Sequence, residues 1–154
     1  LGQAGEPLDI GFVGEVTGGN TAPLLECIAQ DITPVISPTA TGEDGQIYNC
    51  NADLAAAQAA IALAAKRLVF ISDVPGLLRN PDDAESVIPH LDIAEVDELK
   101  QAGVIAKGMI PKVDSAVAAI NAGVDKVSFV DGRMNHSVLL EIFTDKGVGT
   151  EIVK

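Results

Sequence analysis

The sequence predicts an α/β fold with a mainly parallel central sheet flanked by helices and a small added antiparallel hairpin. Three observations lead there. Short apolar runs alternate along the chain with stretches of helical spacing, the order that builds parallel strands through helical crossovers. Arg67 to Ile71 is a continuous apolar strand and Lys126 to Val130 reads as another, as expected where both faces of a sheet are covered. The 154 residues suffice for one domain with a substantial core, and no internal repeat, linker or low-complexity tract divides them.

The elements follow in order. Asp9 to Val16 reads as a strand with glycines at awkward places. Asn20 caps a helix running to about Gln30, with Leu24, Leu25 and Ile28 on one face. Thr33 to Ser37 is a short apolar strand, and the Asp44-Gly45 pair within Gly42 to Gln46 signals a hairpin. Asn49 to Ala65 is alanine-rich and strongly helical in composition. The strand from Arg67 leads into a loop, Asp73 to Asp83, rich in Pro, Gly, Asn and Asp. Ile93 to Ala102 and Ile110 to Ala122 have helical spacing. The strand from Lys126 follows, then a helix over His136 to Phe143 and a last short strand over Val148 to Val153.

Composition narrows the function. A net charge of −12 argues against a nucleic-acid binder, because phosphate neutralisation needs basic patches. Aromatic content of 3% with no Trp also removes stacking platforms for bases. No apolar run reaches the length of a membrane span and no basic-then-apolar leader opens the chain, which starts at Leu1. Cys27 and Cys50 lie in apolar contexts and form no disulfide framework, so a reducing cytoplasm or organelle matrix is the default, and a cytoplasmic location is expected. No His or Cys spacing supports a metal site; His90 reads as surface, His136 as a helix start, and Asp82, Asp83 and Glu85 as a solvated loop.

In a parallel sheet, ligands collect outside the carboxyl ends of the strands. The segments that qualify are Ser72 to Leu78, Asp131 to Asn135 and the turn into the helix at Asn51, with Lys107 to Lys112 opening a further helix. Each has a plain reading and a sharper one. Asn51 or Asp53 caps the alanine-rich helix, or Asn49 and Asn51 face a ligand while Asp53 orients a cation. Ser72-Asp73-Val74-Pro75-Gly76-Leu77 is a strand exit, or a loop whose amides and aspartate meet a nucleotide. It is neither a G-x-x-x-x-G-K nor a G-x-G-x-x-G loop. Pro111 suits a helix start, but a lysine at 112, in the first turn, opposes the helix dipole. Lys112 is therefore solvated decoration or a cation aimed at a phosphoryl group.

Taken in order, G-F-V-G-E-V at 11–16, Y-N-C-N-A-D-L-A-A at 48–56, I-S-D-V-P-G-L at 71–77, G-V-I-A-K-G-M-I-P-K-V at 103–113 and D-G-R-M-N-H-S-V-L-L-E-I-F-T-D-K-G-V-G-T-E-I at 131–152 resemble the acetylglutamate kinases, the arginine-biosynthesis branch of the amino-acid kinase family. The resemblance runs over nearly the whole chain. It implies transfer of a phosphoryl group from ATP, with Mg2+ held by the nucleotide phosphates, to the side-chain carboxylate of N-acetyl-L-glutamate. Lys112 matches the family's transition-state lysine and Asp53 the aspartate that holds the catalytic lysines. Asn49, with Asn51 beside it, matches the acetylglutamate contact. Ser72, Asp73, Val74, Pro75, Gly76, Leu77 and Leu78 match the ATP loop, and Val104, Ile105, Ala106 and Met109 a second nucleotide contact. No protein-held metal is implied.

The tail is similar to the arginine-inhibited members, which implies contacts from Glu141 and Gly147 to an L-arginine effector. Further expectations are a homo-oligomer, dimer or hexamer, a nitrogen-signalling protein partner, and no nucleic acid or membrane. The family's glycine-rich loop and second catalytic lysine have no counterpart in these residues. The chain is thus expected to be the C-terminal, ATP-binding half of the full fold: one domain over 1–154, with 1–50 completing the substrate lobe and 51–154 forming the nucleotide lobe. Alone it is expected to bind adenine nucleotide weakly and turn over poorly or not at all. The competing readings are another amino-acid kinase, for aspartate or glutamate, and a non-catalytic module binding arginine or nucleotide.

Overall fold

A computed structural model describes residues 11–106 and 108–154. Asp9 and Ile10 of the first expected strand, and Lys107, lie outside the described residues.

Two sheets organise the chain. In the first, β1 (Val13–Gly14) pairs in parallel with β3 (Ile47–Cys50), which pairs antiparallel with β2 (Thr39–Thr41). The turn between β2 and β3 is the expected hairpin: the Gly42 amide donates to Gln46 O, and Gly45 takes φ 78. Helix α1 (Ala22–Ala29) precedes this hairpin. Its N-cap is Thr21 rather than Asn20, although Asn20 Oδ1 still accepts from the Ala22 amide at 3.0 Å. The apolar run at 33–37 forms no strand. Pro34 and Pro38 withhold amide donors, no strand among the described residues pairs with it, and Val35 stands 96% exposed.

The second sheet has the order β4-β6-β7-β5, from β4 (Arg67–Ser72), β6 (Lys126–Asp131), β7 (Thr150–Val153) and β5 (His90–Asp92). The pairs β4–β6 and β5–β7 are parallel and β6–β7 is antiparallel. Strand β5 is absent from the sequence reading; three residues after Pro89 are too short to show alternation.

Helices α2 (Ala52–Ala62) and α4 (Met109–Asn121) pack on one face of this sheet and on each other. Alanines 57 and 60 let the two helices approach closely, while α4 buries Val113, Ala116, Ala119 and Ile120 at helical spacing. Beneath them lie Val127, Phe129 and Ile152, all fully buried, with Phe129 stacked on Phe70 at 5.3 Å between centroids. Each such side chain contributes roughly 1.5–3 kcal/mol of burial. The helix expected over Ile93–Ala102 is a 3-10 turn (Ile93–Glu95), closed by a capping box of Asp92 and Glu95, running into α3 (Val96–Gln101). Helix α5 (Ser137–Phe143) lies against β6, and His136 before it takes a left-handed conformation. Among the described residues, no helix is long and apolar enough to cross a membrane.

Candidate functional site

The first turns of α2 and α4 meet. Asn51 in extended conformation caps α2, its Oδ1 accepting from the amides of Asp53 at 3.0 Å and Leu54 at 3.1 Å. The helix therefore begins at residue 52, not at Asn49, and Asp53 is set in the first turn. Helix α4 starts behind Gly108 with no side-chain cap, and Pro111 in its first turn needs no amide partner. That turn presents Lys112, whose Nζ donates to both oxygens of Asp53, at 2.8 and 2.9 Å. Both side chains are about a quarter exposed, at 27% and 23%.

This bond explains why a lysine is tolerated at a helix N-terminus. A charge-assisted bond is worth about 1.5–3 kcal/mol, against about 0.3–1 kcal/mol for a like charge at the dipole's positive end. An ammonium has three donors, so the two bonds to Asp53 leave one N–H for a ligand anion. Asp53 fixes where that charge sits.

Asn49 lies in β3 on the same strand-to-helix passage, its amide donating to Phe12 O at 2.9 Å and its side chain exposed. The strand and cap thus bring Asn49, Asn51 and Asp53 together over five residues, and Lys112 joins them across the helix pair. Of Asn51, the carbonyl oxygen is taken by the cap and the amide NH2 is the group left to face a ligand.

The segment Ser72–Leu78 leaves the end of β4. Ser72 Oγ accepts from the Val74 amide at 3.3 Å, and Gly76 takes φ 148 with a notional Cβ only 2.6 Å from Thr150 Oγ1. Only glycine fits that approach. The Leu77 amide donates to Thr150 Oγ1 at 2.8 Å, and Leu77 itself is buried. Leu77 thus roots the loop in the core, while Asp73 is exposed and Val74 and Pro75 are half-buried at its outer edge. Ile105 is likewise buried in the core between half-buried Val104 and exposed Ala106, and Met109 is half-buried at the start of α4. Leu77 and Ile105 can offer a ligand only backbone groups.

Two neighbouring features make bonds that the sequence did not signal. Thr150 is fully buried and anchors the loop from a strand more than seventy residues away in sequence. Asp131, at the end of β6, holds Arg133 through both carboxylate oxygens, and the Arg133 side chain and amide pull its carboxyl down to about 2. The same bond raises the Arg133 guanidinium above its ordinary value.

Glu141 and Gly147 also come together. Glu141 is buried, and its Oε2 accepts from the amides of Val148 at 2.9 Å and Gly149 at 3.3 Å. Gly147 has φ 65, and a Cβ there would lie 2.6 Å from Glu141 Oε2. Two cavities, about 410 and 660 Å3, lie beside the hairpin and between α1 and α2; neither is lined by Lys112 or by the 72–78 loop. No group of three His, Cys, Asp or Glu that could hold a metal ion occurs among the described residues.

Residues 2–131 match the model of the amino acid kinase family. The chain is 48% identical, over 95% of its length, to an acetylglutamate kinase of Moorella thermoacetica, and covers 49% of that protein. It is 47% identical over 99% of its length to that of Akkermansia muciniphila, covering 52%. The chain thus spans about half the length of the curated relatives it matches. Among solved structures, N-acetylglutamate synthase from Neisseria gonorrhoeae, complexed with coenzyme A and L-arginine, superposes with a TM-score of 0.86 at 29% identity, over 96% of this chain and 34% of that one. Carbamate kinase from Giardia lamblia bound to AMP-PNP shares the fold, with a TM-score of 0.64 at 20% identity over 87% of this chain and 44% of that one.

Proposed function

This chain belongs to the amino acid kinase family, and from that premise we propose that it forms the nucleotide-binding half of an acetylglutamate kinase. The reaction is transfer of the γ-phosphoryl group of MgATP to the side-chain carboxylate of N-acetyl-L-glutamate, giving the acyl phosphate and ADP. Magnesium enters with the nucleotide as part of the substrate. The relatives named above support the substrate class. The observation that carries the mechanism is the Lys112 ammonium held by both oxygens of Asp53.

Phosphoryl transfer passes through a loose transition state with charge spread over the equatorial oxygens, so the protein's task is positioning and neutralisation. Lys112 supplies a compact positive charge, and Asp53 keeps it from turning away into solvent. The loop from Ser72 to Leu78, fixed at Gly76 and Leu77 and carrying Asp73 on its outer edge, receives the nucleotide; Val104 to Ala106 and Met109 make its second contact. Asn49 and the amide NH2 of Asn51 orient acetylglutamate. No covalent enzyme intermediate is required.

Calorimetric titration of Mg-ADP into the chain tests this reading. Binding that is lost in Asp73→Ala but kept within a few-fold in Lys112→Ala is expected, because Lys112 serves the transferred group rather than the diphosphate. Absence of binding at millimolar Mg-ADP, or undiminished binding by Asp73→Ala, would reject the nucleotide role. Phosphorylation of aspartate or glutamate in preference to acetylglutamate, by a preparation supplying the rest of the fold, would reject the substrate.

One observation favours a second ligand. The buried Glu141 carboxylate, with its described bonds gathered on Oε2 and the Gly147 backbone against it, suits a guanidinium, which supports binding of L-arginine here. L-arginine is expected to raise the melting temperature of the chain and to lose that effect in Glu141→Gln. An equal shift in both proteins would remove Glu141 from the reading.

A further inference from the structure

The D-G-R turn at 131–133 has no part in the roles assigned so far, yet it is bonded to the root of the nucleotide loop. Ser72 and Asp131 are register partners at the ends of the parallel strands β4 and β6. One residue on, the Gly132 amide crosses to Ser72 O at 2.8 Å. The carbonyl at which the 72–78 loop departs is therefore fixed by the turn after β6. That turn is fixed in its own right by Asp131. Asp131 Oδ1 accepts from the Arg133 amide at 2.8 Å and from Arg133 Nε at 2.9 Å, and Oδ2 accepts from Nη2 at 2.8 Å.

Asp131 is 14% exposed, while the Arg133 side chain is 67% exposed. An ion pair between residues two apart, with its cation largely exposed, contributes little to stability. What the arrangement achieves is direction. The planar guanidinium is locked as a fork beside the carboxyl end of β6, next to the Gly132 amide that holds Ser72.

We propose that Asp131 and Arg133 are positioning residues for the nucleotide loop: the clamped D-G-R turn holds Ser72 through Gly132, setting the loop before ligand arrives. This rests on the reading of 72–78 as the nucleotide loop, and the test separates the two.

The experiment is amide hydrogen exchange at Gly132 and Val74, combined with Mg-ADP titration, on the whole chain and on Arg133→Gln, Asp131→Asn and Arg133→Lys. Arg133→Gln and Asp131→Asn are expected to speed exchange at Gly132 and Val74 and to weaken Mg-ADP by about tenfold. The melting temperature is expected to stay within about 2 °C. Arg133→Lys keeps the charge without the fork and is expected to recover only part of the loss. Unchanged exchange at Gly132 and Val74 in Arg133→Gln overturns the proposal whatever the nucleotide does. So does a general rise in exchange with a fallen melting temperature, which marks a merely structural role. If the unsubstituted chain binds no Mg-ADP, the nucleotide reading fails, and exchange alone decides whether the turn holds the loop.

Discussion

The part of the chain before residue 55 and the part after residue 66 have similar apolar patterning and opposite fates. In the later part, Phe129, Leu91, Ile105 and Ile152 are fully buried and share one cluster. In the earlier part, Phe12, Leu25, Ile28, Val35 and Ile47 are all more than half exposed. Helix α1 has a one-sided apolar stripe and buries no residue. Patterning reports a capacity for burial; burial itself needs a second surface. The later strands find theirs in α2 and α4, while β1, β2, β3 and α1 leave Phe12, Leu25, Ile28 and Ile47 exposed.

The widest test of that contrast sets Phe129→Ala beside Val35→Ala. The first is expected to cost about 3–5 kcal/mol in a urea melt, through lost burial and a cavity beside Phe70. The second is expected to change stability by less than about 0.5 kcal/mol. A comparable loss at Val35 would mean that the early segment is packed in solution after all. Next in size is Thr150→Val, which leaves the buried Leu77 amide without its acceptor. About 1–3 kcal/mol is expected, read in the same melt, with the 72–78 loop loosening first in hydrogen exchange.

Asn51→Ala removes the cap that joins the two parts at the start of α2 and is expected to cost about 0.5–2 kcal/mol. Its circular-dichroism signature should be fraying of α2 alone. The smallest effect concerns pH. Asp131 sits at about 2, below its ordinary 3.8, so its contribution is present above the ordinary value and fades as pH falls through about 2. Carboxyl NMR titration should find Asp131 near 2 and find it returning toward 3.8 in Arg133→Gln. An unmoved midpoint would mean that another donor holds it.

What the sequence revealed follows the same division. The strands at 67–72 and 126–131 and the helix behind Pro111 were legible because local pattern and final burial agree. Val35 and Ile36 misled because they have strand composition, yet no strand among the described residues pairs with them. Strand β5 was missed because its existence depends on β7, whose residues are distant in sequence. At the site, Asn51 and Asp53 announced a helix start, but no spacing rule joins Asp53 to Lys112; that pairing came only through resemblance to a family. The D-G-R turn was visible as letters and silent as chemistry, because the bond it makes, from the Gly132 amide to Ser72 O, reaches a strand far away in sequence.

Strand β7 carries one more consequence. It occupies an inner position of its sheet, between β6 and β5, although it comes last of these strands along the chain. On a ribosome, β4 can meet β6 while synthesis continues, but His90–Asp92 must wait without a partner until Thr150–Val153 has cleared the exit tunnel. Chain growth at about 5–20 residues per second makes that wait last seconds. A stalled or nicked nascent chain lacking β7 would therefore leave β5 unpaired and the inner edge of β6 open to chaperones and proteases.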